Sequence, residues 1–375
     1  MRSVIVWRPA FLVLALSIVA ACGPAGAPPV GATGSVPSGS APSGFAASPT
    51  PVPAPGSPAA SPTFPPGLYY VRPHLDRPGG VLEIVGGART PVRIETVGVG
   101  YDISADTVIS ADNDAIFLAA ANGFVREVRV RGLFEIGRPS LSPDGKRVVV
   151  QATETPITPS AMPLFTVYIV DLSNGTWRRF GDQPRGPETQ NELPVWFPSG
   201  DRIAFWTTED FCLVIKVRDV ATGADVLVIR KDGTAGCYQP QRGVLDGPRF
   251  HIAVSPDSAR ILSAGQMQVY DARTGALLED LRPAVFQGLE RAGYTQDERF
   301  EGQGGGGTYP LSGSFSPDGK VISFDGAVER NGKFGVLLAS IGTTAETFTT
   351  YFEPIEVDPR WSNDHNFSQV LPRWR

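Results

Sequence analysis

One short turn recurs along this chain and limits its fold more than any other feature. Leu141-Ser142-Pro143-Asp144-Gly145 runs into Lys146-Arg147-Val148-Val149-Val150, and Phe315-Ser316-Pro317-Asp318-Gly319 runs into Lys320-Val321-Ile322. Looser copies are Val254-Ser255-Pro256-Asp257-Ser258 and Trp196-Phe197-Pro198-Ser199-Gly200; degenerate ones are Ile103-Ser104-Ala105-Asp106 and Trp361-Ser362-Asn363-Asp364. Proline presets φ at the second turn position, aspartate accepts backbone N–H groups and glycine supplies positive φ. Apolar residues before the turn and β-branched residues after it are strand cores. Each copy therefore predicts a hairpin between two strands, a and b.

A second turn alternates with the first. Tyr168-Ile169-Val170-Asp171 turns at Asn174-Gly175, Val217-Arg218-Asp219 at Thr222-Gly223, and Val269-Tyr270-Asp271 at Thr274-Gly275. Looser copies turn at Gly86-Gly87, Asn122-Gly123 and Gly342. Each predicts a c-to-d hairpin, so six turns of each kind give six four-stranded sheets. Because the series opens with c-to-d around Gly86 and closes with a-to-b around Trp361, the last sheet is expected to join an N-terminal c-d pair to a C-terminal a-b pair. Radial sheets closed by joining both chain ends hide their edges in a ring. Phe165 to Val170, apolar on both faces, suits a sheet packed between two neighbours. The fold class expected is all-β, a six-bladed β-propeller over residues 67–375.

With the Asp-x-x-Thr-Gly turns and the split last blade, these residues resemble the TolB-like six-bladed propellers, over about Gly67 to Arg375. The resemblance implies the fold and says little about activity. TolB itself carries an α/β domain ahead of its propeller. At that position this chain has a tract from Gly23 to Pro66 with no charged residue, made almost wholly of Gly, Ala, Pro, Ser, Thr and Val. Such a composition cannot offset its ordering entropy, and residues 22–66 are expected to form a disordered tether. Composition leaves O-glycosylation or threading through a cell wall equally open.

Residues 1–21 read as an export signal, with Arg2 and Arg8 leading an apolar run from Ala10 to Ala20. Val19-Ala20-Ala21-Cys22 resembles the lipobox of bacterial lipoproteins, in which the cysteine is acylated and becomes the first mature residue. An ordinary signal peptide with an incidental cysteine is the other reading. The lipobox resemblance implies an extracytoplasmic protein anchored through Cys22 to a lipid bilayer, either the outer face of the cytoplasmic membrane or the outer membrane. Two or more acyl chains hold stably.

A formal charge of -5 argues against a nucleic-acid partner. With three His and three Cys, the chain has few side chains for metal or thiol chemistry, and no cofactor or metal is expected. Gly304 to Gly307 is not followed by Lys-Ser or Lys-Thr, so it is not a phosphate loop. No Gly-x-Ser-x-Gly elbow is present either.

In a four-stranded blade the a-to-b and c-to-d turns share one end. The long segments all follow strands b or d: 152–163, 182–194, 231–250, 282–311 and 326–333. The opposite, loop-bearing face is therefore the expected binding face. Its candidate residues are Tyr238, Arg242, Asp246, Arg249 and His251, with Arg291, Tyr294, Arg299 and Tyr309. Charges interleaved with aromatics suit a protein, peptide or envelope polymer. Cys212 and Cys237 fall at that end of neighbouring strands, either as a disulfide, worth roughly 3 kcal/mol for a loop of this length, or as two free thiols; an oxidising compartment favours the disulfide. The function expected is a monomeric, non-enzymatic binding module. The alternative is a channel-mouth enzyme, of lyase or oxidoreductase type, that uses His251.

Overall fold

A computed structural model describes residues 63–73, 80–85, 93–98, 100–104, 106–156, 158, 164–184, 190–209, 212–230, 238–239, 244–245, 251–295, 312–331, 333–342, 347–354 and 373–375. The chain begins its strands with β1 (Leu68–Pro73), β2 (Gly80–Ile84) and β3 (Glu95–Thr96). The first complete blade is β4 (Tyr101–Ile103), β5 (Thr107–Asp112), β6 (Ala115–Ala120) and β7 (Val125–Arg129). The second is β8 (Phe134–Leu141), β9 (Arg147–Thr153), β10 (Thr166–Asp171) and β11 (Trp177–Arg179), and the third β12 (Glu192–Trp196), β13 (Arg202–Glu209), β14 (Cys212–Asp219) and β15 (Asp225–Arg230). A small hairpin, β16 (Tyr238–Gln239) with β17 (Val244–Leu245), precedes the fourth blade of β18 (Ile252–Val254), β19 (Arg260–Ser263), β20 (Gln268–Asp271) and β21 (Leu277–Asp280). Helix α1 (Arg282–Arg291) leads to the fifth, β22 (Ser312–Phe315), β23 (Val321–Arg330), β24 (Lys333–Gly342) and β25 (Phe348–Pro354), and the chain ends in β26 (Arg373–Trp374).

Six four-stranded antiparallel sheets result, the sixth in the order β26-β1-β2-β3. This is a six-bladed β-propeller, as the alternating turns predict. Its closure differs from the expected two-plus-two. Three strands come from the N-terminal side and one from the C-terminal side. Leu68–Pro73 pairs with β2 as strand b, and in this sheet strands a and b are the two ends of the chain rather than the arms of a hairpin. The N–H groups of Gly67 and Arg375 each donate to the other's carbonyl, at 3.0 and 2.9 Å. Counting hairpin turns cannot find a pair with no turn in it. The Trp361 turn lies outside the described residues.

The turn chemistry repeats as expected. Ser142 Oγ donates to Asp144 Oδ1 (2.5 Å) and accepts the Arg147 N–H (2.9 Å). Ser255 with Asp257 and Arg260, and Ser316 with Asp318 and Val321, repeat both contacts. The serine hydroxyl holds each of these carboxyls below the usual carboxylate range.

Two expected loops are regular structure. Strand β23 runs on to Arg330 and β24 begins at Lys333, the two pairing residue by residue, so 326–330 and Lys333 belong to a long hairpin. Polar residues at its tip disguise the strands in sequence. Within 282–311, α1 starts with a proline in its first turn and buries Val285, Gly288 and Leu289. Gly288 is required there, because a Cβ would lie 2.4 Å from the Phe348 ring.

The packed body also starts ahead of Gly67. Phe64 is 0% exposed and meets Tyr69 edge-on at 6.1 Å. Its tract is so poor in large apolar residues that the composition masks it. Phe64→Ala is expected to lower stability by about 3–5 kcal/mol in denaturant unfolding; a tether residue would give no change.

Candidate functional site

Strand a of every blade lines the axis, and these six strands surround a cavity of about 860 Å³. Asp102, Ser140, Trp196, Ser314 and Arg373 line it from β4, β8, β12, β22 and β26, and His251 lines it from just ahead of β18. Ser104, Asp106, Asp144 and Pro198 of the a-to-b turns also line the cavity, so it opens on the tight-turn face. Thr63 is part of its wall, which places the entering chain beside the mouth.

Deeper along the axis the polar groups compensate one another. Arg373 Nη2 donates to His251 Nε2 at 2.5 Å, and Arg373 Nε lies 3.6 Å from Asp102 Oδ1. Because a guanidinium can only donate, His251 Nε2 is an acceptor and the ring is neutral. Burial, then the positive charges of Arg373 and Arg138, hold the His251 pKa well below its ordinary value. Asp102 Oδ2 accepts the Leu141 N–H at 2.8 Å, and Ser140 Oγ accepts the Trp196 N–H at 3.0 Å, so these neighbouring inner strands are joined by side chains.

Arg138 and Glu192 reach this region from irregular backbone. Strand β8 changes register on either side of Gly137, and Arg138 has φ 52°. Strand β12 shifts between Glu192 and Val195, and Leu193 has φ 53°. Left-handed φ costs non-glycine residues about 1–2 kcal/mol, and bulges re-aim side chains. Burial pulls the Arg138 pKa down to about 10, with Glu192 and Asp325 acting against that shift.

Asp325 of β23 is 1% exposed. Its Oδ1 accepts the Ser312 N–H and the Ser312 hydroxyl, both at 2.7 Å. Among the described residues, its Oδ2 and the buried Tyr101 hydroxyl have no hydrogen-bond partner. Burial pushes the Asp325 carboxyl up to about 7, against Ser312 and Arg373, which lower it.

Of the residues expected to form a binding face, His251 alone among the described ones lines the cavity. Arg291 is on the exposed side of α1. Tyr294 is 3% exposed and lies under the Arg330 guanidinium at 3.9 Å, which makes it a core residue and corrects its place on that face. Tyr238 is in β16. Arg242, Asp246, Arg249, Arg299, Tyr309, Cys22 and Cys237 lie outside the described residues, and Cys212 is the first residue of β14. The sequence reading missed Asp102, Arg138, Glu192, Asp325 and Arg373. The one signal for them was a charged residue inside or beside an otherwise apolar inner strand.

The propeller class stands on the six sheets themselves. No protein-family model matches the chain, and no curated protein matches it. Among solved structures it is similar to TolB from Acinetobacter baumannii (20% identity, TM-score 0.49), over 82% of this chain and 66% of that one, just under two thirds of its length. A nidogen/laminin complex (11%, TM-score 0.48) matches over 83% of this chain and 97% of that one. Hydrazine synthase from Kuenenia stuttgartiensis (16%, TM-score 0.39) matches over 73% and 70%. These likenesses are too distant to carry activity or partners across.

Asp325 yields a signed pH dependence. Its folded pKa is raised above the ordinary 3.8, so the native state holds the proton longer and stability from this group falls as pH rises from about 4 to about 7, then levels. The total is on the order of 4 kcal/mol. Asp325→Asn is expected to remove that slope and to be the more stable protein at pH 7.5, measured by urea unfolding across pH.

Proposed function

We propose that this protein is a non-enzymatic binding module, held at a bacterial membrane through acylated Cys22, that takes a protein, peptide or envelope-polymer segment into its axial cavity. The observation that carries this reading is the cavity itself. At about 860 Å³ it is within the size range of pockets that enclose a ligand, and it has apolar walls, Trp196 and Phe315 among them, over a polar floor. The site so proposed is on the tight-turn face rather than the loop-bearing one.

The floor suits binding better than proton transfer. The Nε2 of His251, the atom a general base would use, already accepts from Arg373, and the Oδ1 of Asp325 accepts two hydrogen bonds from Ser312. We also propose Cys237 as the partner of Cys212.

Two experiments test this. Val254 lines the cavity and is partly exposed. Val254→Trp is expected to abolish capture of any ligand that the wild-type protein retains from envelope extracts, in a variant that still unfolds in one cooperative transition although Val254 packs on the neighbouring core. Capture that survives Val254→Trp but is lost on removing residues 296–311 would move the site to the loop-bearing face. Cys22→Ser is expected to shift the protein from the membrane fraction to the soluble fraction; tight attachment of this variant would refute the anchor.

A further inference from the structure

The C-terminal strand holds the axis together through very few residues. Strand β26 is two residues long, pairing Leu68 with Trp374 and Tyr69 with Arg373. From it Arg373 reaches His251 in the fourth blade and Asp102 in the first, and Trp374 Nε1 donates to Ser323 Oγ at 2.9 Å. Ser323 is two residues before Asp325 on β23, on the same face of the sheet. Arg373 also acts on the charge of Asp325, so lifting β26 would take away one of that carboxyl's neighbours.

The groups that act on Asp325 come from four of the inner strands. Ser312 of β22 bonds to it, and Arg373 of β26, Arg138 of β8 and Tyr101 of β4 interact with its charge. Asp102 of β4, Glu192 of β12 and His251 complete the set through Arg373 and Arg138. Arg373 is already shared between Asp102 and His251, and one oxygen of Asp325 has no hydrogen-bond partner among the described residues. An ionised Asp325 would hold a charge that its surroundings compensate poorly, and water reaching it would relieve the cost.

We propose that the ring is closed by a proton: β26 seats Arg373 across the axis most firmly while the Asp325 carboxyl is protonated, and loosens as that carboxyl ionises. The sign follows from linkage. The closed arrangement holds the proton more tightly than one in which the carboxyl is hydrated, so deprotonation favours opening. Arg373 acts in the opposite sense, but burial outweighs it. Since Arg373 and Trp374 are part of the cavity lining, the same proton would set how firm the floor of the binding site is. That consequence rests on the cavity being the binding site; the switch does not.

Hydrogen exchange measured by mass spectrometry on the full chain in detergent, without ligand, tests the switch. The amides of Trp374 and Arg375 report β26, and Ile109 in β5 reports global unfolding. After correction for intrinsic exchange, β26 protection is expected to fall by up to about tenfold per pH unit between pH 5 and 7. Ile109 should be the more protected at every pH and fall by at least the same factor, because global unfolding hydrates the same carboxyl, and Asp325→Asn should be level at β26. Protection of β26 equal to that of Ile109 throughout would mean no separate opening and overturns the proposal. Protection that does not change with pH, or an equal fall in Asp325→Asn, overturns the proposal. If that variant does not fold, the pH at which β26 protection levels off in the wild-type protein must coincide with the Asp325 carboxyl titration followed by carbon NMR, and a mismatch overturns it. No ligand enters these measurements, so their failure is distinct from survival of capture in Val254→Trp.

Discussion

A ring of sheets has to be fastened where it begins and ends, and here that task falls on Arg373 to Arg375. Arg375 exchanges backbone hydrogen bonds with Gly67, Trp374 is bonded to Ser314 and Ser323, and Arg373 spans the axis to Asp102 and His251. Strand β1 finds its inner partner there, and the axial charges find their balance. The same residues are part of the cavity lining, so closure of the fold and construction of the site are one arrangement. A change that weakens either is felt by both.

Neighbouring blades are joined by a repeated contact that the turn motif itself supplies. The residue five places after the turn serine or its equivalent is arginine in the second, third and fourth blades. Arg147 covers Trp196 of the next blade at 5.1 Å, and Arg260 covers Phe315 of the next at 5.1 Å and donates to the Gly319 carbonyl. Arg202 covers Phe197 in its own blade and donates to the Ala272 carbonyl of the next. The motif thus fixes a hairpin with its serine and aspartate, and then with its arginine fixes that hairpin to its neighbour. A cation over an aromatic ring is worth about 0.5–2 kcal/mol, depending on its exposure. Repetition around the ring gives the contact its weight.

The blades were legible because each hairpin carries its own local chemistry. Ser142-Pro143-Asp144-Gly145 specifies a turn whatever surrounds it, and Asp171 to Gly175 does the same on the outer strands. The closing strand was not legible, because Leu68 and Trp374 are neighbours only once the ring exists. The site was harder still. His251 stood out as one of three histidines, but Arg138, Glu192 and Asp325 come together from three different blades, two of them through register shifts that no local pattern announces. Tyr294 misled for a related reason: an aromatic among charges reads as surface until Arg330 is found folded over it.

The position of Phe64 has a mechanical consequence. It is anchored in the core a few residues before β1, beside the join of Gly67 and Arg375. Tension applied to the chain ahead of Thr63 falls first on that buried ring, and passes to the pairs of β1 only after the ring is withdrawn. A pull from the N-terminal side thus meets a hydrophobic plug before it can begin to peel the propeller open at its seam.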